Sequence, residues 1–175
     1  MQATAAYKSF ETERLVLKPF AVTDAAFLLT LLNSPKWLQY IGDRNVHTEE
    51  EAVDYINVRM ITQLDRLGYG NYLLIRKEDN APMGACGLYE RPELPMIDIG
   101  FAYLPEFEGK GYGYEAASYL LQAGKKDFGL QKVCAIAAKE NIVSQKLLGK
   151  LGLQFVKNIF VEGFKEDLMY YEKEL

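Results

Sequence analysis

Three glycines in five positions, Gly109, Gly111 and Gly113 of EGKGYGYEAA, are the residues of this chain whose type and spacing point most directly to chemistry. Glycine at every second position lets a backbone adopt left-handed conformations and turn its N–H groups toward one point. The letters that follow have helical spacing from about Tyr112 to Phe128, with Ala116, Ala117, Leu120, Leu121 and Gly124 on one face. The positive end of that helix would face the same point, which suits a phosphate or pyrophosphate. A glycine-rich turn without a ligand is the plainer alternative. Two familiar phosphate motifs fail on the letters. A P-loop needs a glycine where Leu104 stands, and a Ser or Thr where Gly111 follows Lys110. The dinucleotide fingerprint needs a small residue where Tyr114 stands, and belongs after a first strand rather than a fourth.

Other catalytic chemistries lack their parts. The chain has one histidine, His47, in a polar segment beside Glu49, Glu50 and Glu51, and two cysteines, Cys86 and Cys134, with no CxxC pair. That leaves too few ligands for a metal site and no base beyond His47 for a Ser-His or Cys-His mechanism, so no metal is expected and the cysteines are expected to pack. A formal charge of −4 and a pI near 5.2 give no global field for nucleic acid. No apolar run reaches the ~20 residues of a membrane span, and MQATAAYKSFETERL does not read as a secretion signal. A cytoplasmic protein with neither nucleic acid nor membrane as partner is expected.

The elements that must position the glycines follow from the same letters. At 175 residues, one domain over 1–175 is expected. Arg14 to Phe20 alternates as a strand, AAFLLTLLN reads as a helix ending near Asn33 to Pro35, and Thr48 with Glu51 forms a capping box for a helix up to Gly68. Tyr72 to Arg76 and Met83 to Tyr89 read as a hairpin, and Ile97 to Leu104 as the strand entering the glycines. After the glycine helix come the strand QKVCAIAA, the short helix NIVSQKLLGKLG and a closing strand pair. The order β-α-α-β-β-β-α-β-α-β-β predicts a mixed α/β sheet covered on both faces. Alternation places Asp98, Gly100 and Ala102 on a nearly bare strand face, opposite Ile97, Ile99, Phe101 and Tyr103. Asn141 and Ser144 share a helix face, with Leu148 one turn further.

This order, with DIGFAYLPEFEGKGYGYEA and NIVSQKLLGKLGLQF, resembles the GNAT superfamily of acyl-CoA-dependent N-acetyltransferases, in particular its branch of ribosomal-protein N-terminal (alanine) acetyltransferases. IGDRNVHTEEEAVDYI and MGACGLYER share the likeness, which runs from about Arg14 to the C-terminus. The resemblance implies the GNAT fold, a mostly antiparallel mixed sheet of roughly six to seven strands with a splayed central pair. It implies acetyl-CoA as cosubstrate. The family's pyrophosphate loop falls on Glu108, Gly109, Lys110, Gly111, Tyr112 and Gly113, with Glu108 where an Arg or Gln is usual. The backbone from Phe101 through Ala102 to Tyr103 would pair with the pantetheine arm, and Asn141 would contact that arm near the thioester. Many members carry at the Leu148 position a Tyr that protonates the departing thiolate; Ser144 would take that role here. Lys110, Lys146 and Lys150 are candidates for the 3′-phosphate, and Trp37, Tyr40, Tyr69 and Tyr72 fall in segments that line the acceptor side.

Acetyl transfer needs a neutral amine, a polarised thioester carbonyl and a proton for the thiolate. Backbone amides near Phe101 to Tyr103 would hold the oxyanion. Asp98, one pleat from Gly100 on the bare face, is the candidate base, directly or through water, ahead of Glu90 and Glu115; a strand-surface acid is its plainer reading. The expected function is acetyl transfer to a primary amine, on a protein N-terminus or a small molecule, by direct attack in a ternary complex. Leu148 and Glu108 leave a second reading, a non-catalytic acyl-CoA-binding or regulatory protein, and a homodimer stays open.

Overall fold

In LVLKP the side chains of Leu15 and Leu17 are fully buried and Val16 and Lys18 half-buried, the alternation that pairs a strand against a covering helix. The computed structural model describes residues 7–175. Eight strands form one sheet: β1 Phe10–Glu11, β2 Leu15–Pro19, β3 Asn71–Arg76, β4 Pro82–Tyr89, β5 Asp98–Tyr103, β6 Lys132–Ala137, β7 Gln154–Ile159 and β8 Leu168–Glu174. Their order is β1-β2-β3-β4-β5-β6-β8-β7, and every neighbouring pair is antiparallel except β5 with β6. The strand beyond the expected number is β1, a two-residue edge that folds back on β2 through Phe10↔Leu17 and Glu11↔Val16.

Six α-helices surround the sheet: α1 Ala25–Leu32, α2 Pro35–Tyr40, α3 Glu49–Tyr55, α4 Thr62–Leu67, α5 Tyr112–Phe128 and α6 Ile142–Lys150. The helix expected from Thr48 to Gly68 is present as α3 and α4 joined by a π-helical turn, Ile56–Ile61. Its capping box is formed: Glu51 N–H donates to Thr48 Oγ1 at 3.2 Å and Thr48 N–H to the Glu51 carboxylate at 3.1 Å. At the other end Gly68 terminates it with φ 79°. Helix α2 is an addition to the expected elements, started by Ser34 with Pro35 in its first turn, where a missing N–H costs nothing.

The two sheet faces carry separate cores. Leu15, Leu17, Tyr72, Leu74, Leu88 and Ile99 pack beneath Ala116, Ala117 and Leu120 of α5. On the opposite face Leu73 and Ala85 meet Leu28, Leu31 and Leu32 of α1, with Ile56 and Met60. Tyr69 and Tyr72 belong to the first core: the Tyr72 ring centroid lies 5.6 Å from that of Phe10, and that of Tyr69 4.8 Å from that of Phe128. These two tyrosines therefore pack under α5 rather than lining an acceptor surface. Cys86 and Cys134 are buried free thiols, and burial pushes both up to about 12.

Leu148 projects from α6 into the α5-side core with Leu151 and Leu153 and is 1% exposed. Its truncation leaves a cavity that neighbouring side chains fill only in part. Leu148→Ala should lower the unfolding free energy by about 2–5 kcal/mol, read from the urea midpoint at unchanged m-value.

Candidate active site

The central feature is a parting of two strands. The β4–β5 ladder is continuous from Tyr89↔Asp98 to Gly84↔Tyr103, whereas β5 meets β6 at one register pair, Asp98↔Cys134. Cys134 N–H donates to Ile97 O at 2.9 Å just before that point. Beyond it the parallel strands diverge, so the β6-facing backbone of Ile99 to Tyr103 has no strand partner. Unpaired backbone in a cleft requires other partners, and an extended ligand arm can supply them. The unpaired stretch runs to Tyr103 on β5 and Ala137 on β6, the strand ends after which α5 and α6 begin.

The glycine loop lies at the mouth of this gap. A 3-10 turn, Pro105–Phe107, leads to Gly109 with φ 71° and Gly111 with φ 81°, the latter the N-cap of α5. Both values belong to the left-handed region that a Cβ disfavours. Glu115 N–H donates to Gly111 O at 3.1 Å, closing the first turn, so the N–H groups before it have no acceptor within the helix. A side-chain atom at Gly109 would meet nothing within 4 Å, so the loop is open on that side. At Gly113 a Cβ would lie 3.0 Å from Leu147 Cδ2 and 3.4 Å from the Tyr103 ring, so glycine is what lets α5 close on β5 and α6. The Tyr103 hydroxyl is buried there without a protein partner, and burial raises its pKa well above the usual tyrosine range, keeping it protonated. Positive-φ glycines, first-turn amides and one orphaned hydroxyl fit a pyrophosphate and its attached amide arm.

Charges around the loop are arranged by residues distant in sequence. Glu108 pairs with Lys36 of α2, so its charge is met by an ammonium. The Arg76 guanidinium lies 5.1 Å from the Phe107 ring centroid. Lys110 Nζ donates to Glu106 O at 3.0 Å, and Lys146 and Lys150 are exposed on α6. The Glu115 carboxylate accepts from Thr12 Oγ1 at 2.6 Å, from Arg14 N–H at 2.8 Å and from Arg14 Nε at 2.7 Å. Burial alone would raise this carboxyl, but the three hydrogen bonds outweigh it and hold it below the usual range. So engaged, Glu115 is a structural acid rather than a base. Glu90 is paired with Arg66 on the surface.

The α6 end supplies the second half. Asn141 accepts the Ser144 N–H on its side-chain oxygen at 3.2 Å, capping α6 and leaving its amide NH2 to a ligand. Ser144 is half-buried in that first turn.

The structure encloses Asp98. The face expected to be bare for a ligand is covered by the Tyr89 ring, which lies where a Cβ on Gly100 would be 2.8 Å away and one on Gly87 2.5 Å away. The Tyr89 hydroxyl donates to Asn71 Oδ1 at 2.8 Å. Beneath it Asp98 is 1% exposed and ion-paired to Arg91, whose guanidinium also lies 5.4 Å from the Tyr89 ring centroid. Burial pushes the Asp98 carboxyl up and Arg91 opposes it. A carboxylate enclosed in this way offers an acceptor amine no direct approach, and its pair with Arg91 pins the vertex of the gap. Tyr89, Arg91, Lys36 and Arg14 carried no signal in local spacing; each acts on a partner in another element.

Among the described residues no cluster of three His, Cys, Asp or Glu could hold a metal, and no helix is long and apolar enough to cross a membrane. Comparison with known proteins agrees with the geometry. Residues 14–154 match the acetyltransferase (GNAT) domain family. The N-acetyltransferase p20 of Bacillus licheniformis is 30% identical over 145 residues, covering 82% of this chain and 80% of p20. Among solved structures, a GNAT-family acetyltransferase from Bordetella pertussis superposes with a TM-score of 0.81 at 23% identity, over 95% of this chain and 99% of that one. RimL, a ribosomal L7/L12 alpha-N-protein acetyltransferase in complex with coenzyme A, gives 0.81 at 17% identity, over 96% and 98%. A parted β5–β6 pair with a glycine loop at its mouth, joined to these likenesses, makes the chain a member of the GNAT acetyltransferase family.

Proposed function

We propose that residues 1–175 form one acetyltransferase domain that moves acetyl from acetyl-CoA to a primary amine by direct attack in a ternary complex, in the cytoplasm. Enzymatic acetyl transfer follows from family membership, and acetyl-CoA is the family's cosubstrate. The single observation that carries the mechanism is the one-pair contact of β5 with β6, opening toward the α5 loop. The pyrophosphate sits on the N–H groups of Gly109 to Gly113, and the pantetheine arm adds as a strand along Phe101, Ala102 and Tyr103. Asn141 and the Tyr103 hydroxyl hold its amides. The thioester then lies toward the vertex, where backbone N–H groups of β5 stabilise the oxyanion. A ternary complex needs no covalent intermediate, and both thiols are buried, consistent with direct attack.

The acceptor is a primary amine, on a protein N-terminus, as the name of RimL records for that enzyme, or on a small molecule. With Asp98 enclosed, the ammonium proton leaves to water, and the pH–rate profile follows the ionisation of the acceptor itself. Ser144 donates its hydroxyl to the departing sulfur in place of the absent tyrosine. Incubation with acetyl-CoA and a panel of peptide N-termini and small amines tests the whole: thiol release with at least one acceptor is expected. Binding of coenzyme A without release across the panel would favour the non-catalytic reading.

Three substitutions separate the roles. Gly111→Val forces a β-branched residue to φ 81° and should raise the Kd for coenzyme A by about tenfold or more in a folded protein; unchanged affinity by calorimetry would reject the loop as the pyrophosphate site. Ser144→Ala should lower kcat by about 10-fold to 10²-fold at near-native melting temperature, and a parental rate would leave water as the donor. Asp98→Asn removes the partner of Arg91, whose side chain keeps 30% of its exposure, and should cost about 2 kcal/mol of stability. In the folded fraction its pH–rate profile should keep the parental ionisation; loss of that ionisation would restore Asp98 as the base.

A further inference from the structure

Arg14 opens β2 at the sheet margin, yet its guanidinium is tied to the glycine loop and to α5 at three points. Nη1 donates to Lys110 O at 3.0 Å, Nε pairs with Glu115 Oε2 at 2.7 Å, and Cζ lies 4.3 Å from the centroid of the Tyr112 ring. Its Nη2 sits 3.4 Å from where a Cβ on Gly111 would be. The carboxylate that holds it is itself fixed by Thr12 Oγ1 and by the Arg14 backbone N–H.

We infer that Arg14 is a positioning residue for the pyrophosphate-binding loop, orienting through the Lys110 carbonyl the peptide plane that carries the Gly111 N–H. In a planar trans peptide the C=O of one residue and the N–H of the next point in opposite directions. With the Lys110 oxygen drawn to Nη1, the Gly111 N–H is turned away from Arg14, toward the open side of the loop. The next carbonyl, that of Gly111, accepts from Glu115 N–H inside the helix, which turns the Tyr112 N–H out of the α5 N-terminus. Arg14 and the first helical turn thus orient two consecutive donors. The loop needs such a brace because glycines with positive φ have the most conformations to lose when an anion binds, and a brace removes part of that cost beforehand. Only a planar fork can stack on Tyr112, pair with Glu115 and reach Lys110 O together; a lysine ammonium is a single point of charge. The cation also stands in a loop whose own leading residue is the acid Glu108.

The inference rests on the proposed pyrophosphate site, and the test separates the two. Acetyl-CoA and S-acetylpantetheine share the thioester and the arm but differ in the pyrophosphate. In Arg14→Lys, kcat/KM for acetyl-CoA should fall about tenfold, carried by KM, while that for S-acetylpantetheine changes less than about twofold. A bond that merely ties β2 to α5 would, when lost, lower both donors together with the melting temperature. Parallel losses with both donors, or no loss with either, would overturn the role of Arg14. A parent enzyme with no preference for acetyl-CoA over S-acetylpantetheine would overturn the loop assignment beneath it. Calorimetric Kd values for coenzyme A and pantetheine provide the same contrast without turnover.

Discussion

The vertex where β5 and β6 meet is the constraint on which the site depends. A sheet whose strands paired along their whole length would leave no backbone for a ligand arm, and one with no pairing there would fall into two halves. The compromise is a single register pair, Asp98↔Cys134, reinforced by Cys134 N–H on Ile97 O at 2.9 Å and by Cys134 Sγ on Met96 O at 3.5 Å. The Arg91–Asp98 pair and the Tyr89 ring close the same point from the β4 side. Burying a carboxylate is costly unless its partner is fixed, and here the partner is fixed by an aromatic face. Beyond the vertex β4 holds β5 straight through to Tyr103, so the strands diverge on one side only. The gap is a consequence of where pairing stops.

Anion binding in such a protein does not require a basic chain. The formal charge is −4, and the residue leading the loop is an acid. The field that matters is local: first-turn amides, a helix dipole, and cations brought from α2 and β2 to offset Glu108 and Glu115. Net charge gives no global field for a polyanion, and it says nothing about how a few peptide N–H groups meet a single anion.

Much of this was legible in the letters because it is local. The glycine spacing, the helix from Tyr112 to Phe128, the capping box at Thr48 and Glu51, and the nearness of Asn141 to Ser144 all depend on residues within a few positions of one another. Helix α2 was missed: Ser34-Pro35 read as the end of the preceding helix, and a six-residue helix has little periodicity to show. What alternation could not tell was which side chain lies over Gly87 and Gly100. Gly100 and Ala102 on one face read as open space, and the ring of Tyr89 fills it over Gly100. Strand pairing also decides that Tyr72 faces α5, where it meets Phe10 of β1, the strand that local patterning missed. The Arg14–Glu115 contact spans 101 residues and Lys36–Glu108 spans 72, separations at which sequence spacing carries no geometric information.

The two cores give the fold a division of labour. The loop, α5 and α6 pack on one sheet face through Ala116, Ala117, Leu120 and Leu148, whereas α1 to α3 and the π-helical turn pack on the other through Leu28, Leu31, Leu32 and Ile56. Interior packing transmits volume changes to near neighbours, and these cores share few neighbours because the sheet lies between them. Trp37 and Tyr40 stand on α2, which belongs to the second core and touches the loop through Lys36 and Glu108. Substitutions on α1 to α3 can therefore alter the second core while the glycine loop and the parted strands keep their geometry. An exposed ion pair is worth too little to override either core. The parted strands and the glycine loop are thus held by the sheet and α5, and the helices on the other face can change without moving them.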